Sequence, residues 1–307
     1  MSILLSEDLR VVVQGMTGKE GQRATKEMLA YGTKVCCGVT PGKGGERVLD
    51  LPVFDSVAEA KQYEQGLNTS VLFVPPLMVL DAAIEAMDAG ISLLVIVTEN
   101  VPILDAAKLV EYARRTGARV VGPSSVGVIV PGVAKLGSIG GGRDQRMYTP
   151  GRVGVISKSG GMTAETCRLL TEAGIGQSTA IGIGGDVIIG STFTDLMALF
   201  EQDEETDAVV LFGEVGGAYE EEAARMLKER RFTKPVVAFV SGTFAEQVQG
   251  LALGHAGAIV ERGFGTAEQK RAALREAGAL VARYHDDIPG LVSRALENKG
   301  RSGGSTE

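Results

Sequence analysis

Residues 10–21 of this 307-residue chain, RVVVQGMTGKEG, decide how it folds. The apolar run Arg10–Gln14 predicts a buried central strand, and the residues after Gly21 predict an amphipathic helix through Leu29. A strand, a glycine turn and a helix N-terminus form an anion cradle, because free N–H groups and the helix dipole point at the turn. The spacing G-x-x-G-x-x-G is looser than the dinucleotide pattern, so it also fits a tight turn that binds no ligand.

The second predicted strand, residues 34–39, ends in a loop that suits a phosphate. An NAD site has an acidic residue at this point to hold the ribose hydroxyls. Here the segment 40–45 follows, TPGKGG, with Lys43 among glycines and Pro41 beside it. Lys43 suits the 2′-phosphate of NADP or the 3′-phosphate of coenzyme A, and it also fits a solvated turn. The first domain therefore predicts an NADP-dependent oxidoreductase or a coenzyme A protein.

Three further apolar runs, residues 70–74, 93–98 and 119–122, alternate with helical segments at 80–89 and 106–116. This alternation predicts an α/β fold with a doubly wound parallel sheet and right-handed crossovers. Ligand sites of such sheets lie beyond the carboxyl ends of the strands. The residues at those positions either line a cleft or form plain turns, and they are Pro75-Pro76, Thr98-Glu99 and Pro123-Ser124-Ser125.

Residues 137–151 lack hydrophobic periodicity and predict a linker between a first domain, 1–136, and a second domain, 152–297. The second domain opens with the same arrangement, in which strand 152–157 is followed by the turn KSGGMT and a helix to Leu170. Serine and threonine are available there as helix caps, so this turn is another predicted anion site. The glycine, serine and charged residues of 298–307 predict a disordered tail.

Glu214 and His255 follow two predicted strands of the second domain, 208–212 and 235–240, at one edge of its sheet. His255 lies in the segment GHAGA, whose small residues allow other groups to approach the imidazole. A carboxylate that accepts a hydrogen bond from one ring nitrogen leaves the other nitrogen as a nucleophile. The alternative is a histidine on a glycine-rich surface loop and a solvated acid. The second histidine, His285, stands in a polar stretch and is expected at the surface without a role.

The composition excludes several classes of function. A net charge of −7 argues against non-specific nucleic-acid binding. Three cysteines are too few and wrongly spaced for a disulfide scaffold or a zinc site, which indicates a reducing compartment. No apolar run reaches the length of a membrane span, and no targeting segment is evident at the N-terminus. We expect a cytoplasmic protein with no metal site and no membrane or nucleic-acid partner.

Four motifs together resemble the α subunit of succinyl-CoA synthetase and the related acid–CoA ligases, over residues 2–296. They are VTPGKGG at 39–45, GIGGD at 182–186, GEVGG at 213–217 and GHAGA at 254–258. The resemblance implies two doubly wound parallel-sheet domains, an N-terminal Rossmann-like domain that binds coenzyme A and a C-terminal flavodoxin-like domain. It implies an acid–thiol ligase that forms an acyl-CoA from an acid, coenzyme A and ATP or GTP, with release of ADP or GDP.

The resemblance also implies roles for individual residues. His255 would carry the phosphoryl group transiently, with Glu214 in support. The acid would take that group to give an acyl phosphate, which the coenzyme A thiol attacks. Coenzyme A would contact Gly15, Thr17, Gly18, Lys19, Glu20, Pro41, Lys43, Pro75, Ile96, Val97, Thr98 and Ser124. The acid or the phosphoryl group would contact Ser125, Ser157, Ser159, Gly160, Gly161 and Ala164.

A partner is implied as well, an ATP-grasp β subunit in an αβ or α2β2 assembly. It would supply the nucleotide site and the Mg²⁺, which agrees with the lack of a Walker-type loop in this chain. The reaction would belong to the tricarboxylic acid cycle.

Two of the segments that depart from the succinate pattern lie where the resemblance places the acid and the thioester. Ser124-Ser125-Val126-Gly127 replaces Asn-Cys-Pro-Gly, and Ala164 replaces a tyrosine. The Ser-Gly-Gly-Met turn is similar to ATP-citrate lyase and citryl-CoA synthetase, so a citrate-type, malate or other substituted acid is an alternative to succinate. A non-catalytic coenzyme A-binding module is a second alternative, although such a module would need neither His255 nor Glu214.

Overall fold

The computed structural model describes residues 3–142, 144–242, 257 and 265–302. The chain divides into two compact units. The N-terminal unit contains Leu4–Gly142 and Gly182–Ser191, and the C-terminal unit contains Arg143–Ile181 and the chain from Thr192 onward.

The sheet of the N-terminal unit has the strand order β3-β4-β2-β1-β5-β6-β7. The pair β3–β4 is antiparallel, and the pairs β2–β4, β1–β2, β1–β5, β5–β6 and β6–β7 are parallel. Counted along the chain without β3, this order is 3-2-1-4-5-6, which is the Rossmann arrangement that the resemblance predicts. The strands are β1 Val11–Gln14, β2 Val35–Val39, β3 Arg47–Val48, β4 Leu51–Phe54, β5 Thr69–Leu72, β6 Leu93–Ile96 and β7 Arg119–Val121, and the helices are α1 Lys19–Tyr31, α2 Val57–Tyr63, α3 Val79–Asp88 and α4 Ile103–Thr116.

Strand β1 is buried along its whole length, as expected for a central parallel strand covered on both faces. Helix α1 packs through Gly21, Ala24, Thr25 and Met28, which recur at helical spacing. A Cβ atom on Gly21 would lie 2.3 Å from the main-chain oxygen of Gly15. Glycine at position 21 therefore allows the helix to begin directly against the turn.

A hairpin of β8 Gly127–Val130 and β9 Ala134–Gly137 completes this part of the chain. The buried hydroxyl of Thr33 donates to the main-chain oxygen of Lys135 at 2.7 Å and accepts from its N–H at 3.0 Å. The fully buried ammonium of Lys135 donates to the main-chain oxygen of Ile139 at 3.1 Å and lies 3.8 Å from Oε2 of Glu27 in α1. These contacts hold the hairpin against α1.

The sheet of the C-terminal unit contains β14-β13-β12-β10-β11 in that order. The pairs β10–β12, β12–β13 and β13–β14 are parallel. Counted along the chain, the order is 2-1-3-4-5, which confirms the predicted flavodoxin-like arrangement. The strands are β10 Pro150–Ser157, β11 Gln177–Gly182, β12 Ala208–Gly213, β13 Val236–Val240 and β14 Leu280–Val281, and the helices are α5 Asp144–Met147, α6 Gly160–Glu172, α7 Phe193–Gln202, α8 Tyr219–Lys228, α9 Ala267–Glu276 and α10 Ile288–Ser302.

Residues 182–191, which the sequence places in the second domain, group with the N-terminal unit. The Ser191 hydroxyl donates to the main-chain oxygen of Val120 at 2.6 Å, and the N–H of Gly190 donates to the main-chain oxygen of Gly122 at 2.8 Å. Ile188 packs against the N-terminal core. Such contacts join residues about 70 positions apart, so local patterns do not report them.

The chain ends of the second domain also differ in detail from the sequence interpretation. The predicted linker 137–151 contains α5 and the first residues of β10. Helix α10 continues to Ser302, five residues into the predicted disordered tail, since glutamate, lysine and arginine favour a helix. Among the described residues, no helix has both the length and the apolar character needed to cross a bilayer.

Candidate functional site

The reversal of strand order between β1 and β5 opens a cavity of about 630 Å³ in the N-terminal unit. Open α/β sheets bind their ligands at such a switch point, beyond the carboxyl ends of the strands. Five of the predicted coenzyme A residues meet here. The lining is Gln14, Gly15, Thr17, Gly18, Val39, Thr40, Pro41, Phe73, Val74, Pro75, Met78, Asp81, Ala82 and Glu85.

The glycine turn between β1 and α1 forms one wall of this cavity. Gly15 has a φ of +79°, and a Cβ atom there would lie 2.8 Å from the main-chain oxygen of Phe73. The Thr17 hydroxyl donates to that of Thr40 at 3.2 Å, which joins the turn to the end of β2. No side chain among the described residues caps α1 at Gly18. The first N–H groups of α1 are therefore suited to an anionic ligand.

A second cavity of about 280 Å³ shares Phe73 with the first. It is lined by Glu20, Arg23, Phe73, Val97, Thr98, Glu99 and Ser138, so it collects three more of the predicted residues. The Thr98 hydroxyl donates to the main-chain oxygen of Val74 at 2.7 Å, and Arg23 pairs with Glu20 at 2.7 Å.

Several predicted residues lie outside both linings. Lys43 is half exposed and pairs with Glu46 at 3.0 Å, and the Lys19 side chain is exposed. The side chain of Ile96 is fully buried in the core. Ser124 has a φ of +59°, and its hydroxyl donates to Oδ1 of Asp186 at 2.7 Å.

Ser125 forms internal hydrogen bonds at the position predicted to contact the acid. Its side chain is 2% exposed. The hydroxyl donates to the main-chain oxygen of Gly182 at 2.5 Å and accepts from the N–H of Gly127 at 2.8 Å. In this structure the hydroxyl therefore joins the start of the hairpin to the segment that begins at Gly182.

The switch point of the C-terminal sheet lies between β10 and β12, and it brings Lys158 and Glu214 together. Ser157 pairs with Phe212 in the sheet, and the N–H of Lys158 donates to the main-chain oxygen of Phe212 at 3.1 Å. The Lys158 ammonium lies 3.7 Å from Oε1 of Glu214 and 3.6 Å from Oε1 of Glu220, the second residue of α8. Both the ammonium and the two carboxylates are buried.

Lys270 of α9 completes a group that we call the charge cluster, Lys158, Glu214, Glu220 and Lys270. Its ammonium has no exposure and donates to Oε2 of Glu220, to Oε2 of Glu221 at 2.9 Å and to the main-chain oxygen of Gly217 at 3.0 Å. Buried charges are costly unless they are paired and hydrogen-bonded. The alternation of two ammonium and two carboxylate groups supplies the pairing, and the hydrogen bonds of Glu220 and Lys270 add to it.

The N-terminus of α6 lies directly after Lys158. The Ser159 side chain caps the helix and accepts from the N–H of Met162 at 3.5 Å. The buried Ser157 hydroxyl donates to the main-chain oxygen of Ser159 at 2.8 Å and accepts from its N–H at 3.2 Å. A Cβ atom on Gly161 would meet no described atom within 4 Å. With respect to the described residues, the first turn of α6 is therefore open at exposed Gly161, while Gly160 is half-buried and half-buried Ala164 lies farther along the helix.

His255 and all of its motif except Gly257 lie outside the described residues. The other histidine, His285, is not the plain surface residue that the sequence predicts. Its Nε2 hydrogen-bonds to the Thr166 hydroxyl at 2.8 Å, and its ring packs edge-on against Phe212 and Phe239. Burial lowers the pKa of His285 below its ordinary value.

Sequence reasoning missed Lys158, Glu220 and Lys270. A signal was present for Lys270, because Ala267, Lys270 and Leu274 recur at core-facing spacing along α9 and are all buried. A lysine on an apolar helix face requires an acidic partner, and three glutamates begin α8. Among the described residues, no group of three or more histidine, cysteine, aspartate or glutamate side chains could hold a metal ion.

The two family models that match these two units define the class of the chain, an acid–thiol ligase subunit with a coenzyme A-binding domain. The family model for a CoA binding domain matches residues 6–100, and the CoA-ligase model matches residues 156–280. The α subunit 1 of succinate–CoA ligase [ADP-forming] from Archaeoglobus fulgidus is 48% identical, over 97% of this chain and 99% of its own length. The α subunit from Aquifex aeolicus is 45% identical, over 97% and 95%. The chain belongs to the family of succinate–CoA ligase α subunits.

Solved structures support the same fold. The ATP citrate lyase of Methanosaeta concilii in complex with (3S)-citryl-CoA has a TM-score of 0.88 and 26% identity over 98% of this chain. This chain spans 51% of the length of that lyase. An acetyl-coenzyme A synthetase from Ca. Korarchaeum cryptofilum has a TM-score of 0.72 at 20% identity over 91% of this chain and 58% of its own, a likeness of fold alone. The predicted family and the predicted α/β fold are confirmed.

Proposed function

We propose that the chain is the α subunit of an enzyme that joins succinate to coenzyme A and converts ATP to ADP through a phosphohistidine at His255. The observation that carries the proposal is the meeting of Glu214 with Lys158, 3.7 Å apart, at the C-terminal switch point. An acceptor for an imidazole N–H and an anion-binding helix terminus thereby occupy one place in the fold. A module that only binds coenzyme A has no use for this arrangement.

Coenzyme A binds, in this proposal, in the cavities of the N-terminal unit. The turn at Gly15, Thr17 and Gly18 holds phosphate through the N–H groups of α1. Pro41 and Pro75 supply apolar walls of the first cavity, and Thr98 lies in the second. Lys43 exchanges Glu46 for the phosphate of the bound coenzyme, since both partners of this exposed pair are free to move.

The reaction proceeds in three displacements. An imidazole nitrogen of His255 attacks the γ-phosphorus of ATP, the N–P bond forms and ADP leaves. A succinate oxygen then attacks that phosphorus, and the N–P bond breaks to give succinyl phosphate. The thiolate of coenzyme A attacks the acyl carbon, the C–O bond breaks and inorganic phosphate leaves with succinyl-CoA as the product. Covalent intermediates divide one difficult step into easier ones.

Two groups of this chain stabilise those steps. Glu214 accepts the N–H of one ring nitrogen of His255, which keeps the other nitrogen free for phosphorus. The N–H groups at Gly160 and Gly161 bind the phosphoryl oxygens, because a helix N-terminus favours negative charge. A β subunit with an ATP-grasp fold binds ATP and the Mg²⁺ that offsets its charge. The cytoplasmic location and the place in the tricarboxylic acid cycle stay predictions of the sequence.

The test is a phosphorylation assay on the chain co-purified with its β subunit and incubated with γ-labelled ATP. The wild type is expected to acquire a label that is labile in acid and stable in base. His255→Ala removes the label, and the control His285→Gln, which changes the chain's other histidine, retains it. A label that survives His255→Ala contradicts the proposal.

The identity of the acid is tested separately. The family supports succinate, and the lyase complex with (3S)-citryl-CoA gives only weak support for a citrate-type acid. An assay of ADP release with succinate, malate and citrate separates them. Exclusive use of succinate removes the citrate alternative, and exclusive use of citrate removes succinate.

A further inference from the structure

Glu220 holds the central position in the charge cluster. Its Oε1 accepts the main-chain N–H of Glu214 at 3.1 Å and lies 3.6 Å from the Lys158 ammonium. Its Oε2 accepts from Lys270. One carboxylate therefore contacts both lysines of the cluster and the backbone of Glu214, and its side chain is 2% exposed.

We propose that Glu220 is a positioning residue for phosphoryl transfer, which fixes the Glu214 carboxylate in the place where it orients His255. This inference rests on the proposed function, because that function assigns the role of Glu214. It adds that the orientation depends on a second, buried carboxylate that contacts the backbone of Glu214. Catalytic geometry is sensitive to such support, since a misplacement of about 1 Å can slow a reaction about 100-fold.

The position of Lys158 explains how the support works. Its ammonium is shared almost equally, 3.7 Å from Glu214 and 3.6 Å from Glu220. The centre of the Tyr219 ring lies 5.7 Å from the same ammonium. If Glu220 lost its charge, Lys158 would pair with Glu214 alone and draw its carboxylate inward. The pairing of Lys158 with both glutamates thus determines the position of the Glu214 carboxylate.

The other side of Glu220 is held by Lys270. An ammonium group has three N–H donors. Lys270 uses them on Glu220, Glu221 and the main-chain oxygen of Gly217. With three acceptors around it and no exposure, Lys270 is a fixed anchor, and Glu220 is fixed with it.

The experiment measures the single-turnover rate of His255 phosphorylation in the complex with the β subunit. Glu220→Gln keeps the volume of the side chain and removes its charge. We expect the rate to fall about 10- to 100-fold, while KM for coenzyme A stays unchanged in the folded complex. Glu221→Gln is the matched control, because part-exposed Glu221 also contacts Lys270 and its glutamine keeps an acceptor for that ammonium, whereas the charge of Glu220 also pairs with Lys158. It is expected to keep the wild-type rate.

A charge-balanced variant provides a second test of the proposal in case Glu220→Gln does not fold. Glu220→Gln with Lys270→Met removes one carboxylate and one ammonium, which a buried site tolerates better than the loss of one partner. A slow rate in every one of these variants that folds, with Glu221→Gln normal, supports the positioning role. A wild-type rate in any of them overturns it while leaving the proposed function intact. A wild-type complex that takes no label at His255 instead overturns the proposed function, and the positioning role with it.

Discussion

A Cβ atom on Gly213 would lie 2.7 Å from Oε1 of Glu220. Glycine at the end of β12 therefore allows the central carboxylate of the charge cluster to lie against the backbone, where it also accepts the N–H of Glu214. Gly213→Ala is expected to lower the free energy of unfolding by about 1–3 kcal/mol, because overpacking displaces the carboxylate. Urea unfolding of the purified chain measures it.

The control for Gly213→Ala is Gly290→Ala in helix α10. A Cβ atom there would meet no described atom within 4 Å, and the residue lies inside a helix. Alanine is expected to raise the free energy of unfolding by about 0.5–1 kcal/mol. Equal stability of Gly213→Ala and the wild type would show that Glu220 moves aside without cost.

Ser125→Ala is expected to destabilise the chain by about 1–3 kcal/mol, because it leaves a buried N–H and a buried carbonyl without their partner. Those groups are the N–H of Gly127 and the main-chain oxygen of Gly182. Urea unfolding measures the loss, and the exposed Ser92→Ala is the control, with a change within about 0.5 kcal/mol. A stable Ser125→Ala protein with a raised KM for the acid would instead favour a direct contact with the substrate.

Lowering the pH should destabilise the folded chain, because His285 becomes protonated more readily in the unfolded state. Burial lowers the pKa of His285, against the opposing charges of Glu165 and Asp286 and with a smaller contribution of the same sign from Arg168. The unfolded chain then binds more protons between the two pKa values, so the free energy of unfolding falls as the pH falls from about 6.5 through the folded pKa.

Urea unfolding at pH about 7.5 and about 5.5 tests this linkage. We expect a larger loss in the wild type than in His285→Gln, which retains a polar partner for Thr166 and does not titrate. An equal loss in the free energy of unfolding in both proteins would show that groups other than His285 cause the pH dependence.

The three cysteines should react slowly in the native protein. Cys37 and Cys167 are buried and Cys36 is half-buried, and all three are free. Burial raises the pKa of Cys37 to about 12 and also raises that of Cys36 and Cys167. Since the thiolate is the reactive form, iodoacetamide at neutral pH is expected to modify all three only after unfolding. Mass spectrometry counts the adducts, and rapid native labelling of Cys37 would contradict the burial.

The sequence by itself determined the family, the two glycine turns and the strands of both units except β3, β4 and the β8–β9 hairpin. Buried strands such as Val11–Gln14 occur in the sequence as apolar runs. The turn at Gly15 requires a positive φ, which glycine adopts readily. Motifs of this kind depend on residues that are neighbours along the chain, so they can be predicted from the sequence. The cavity at Gly15, Thr17 and Pro75 followed from the same rule, because ligands bind at the carboxyl ends of parallel strands.

Only the tertiary structure decided which side chains, distant along the chain, form ion pairs and hydrogen bonds with one another. Lys158, Glu220 and Lys270 come from separate elements, and no spacing along the chain reports that their buried charges alternate. The return of residues 182–191 to the N-terminal unit and the internal bonds of Ser125 are of the same kind. Such contacts depend on how helices and loops pack in three dimensions, where an unpaired buried polar group is costly.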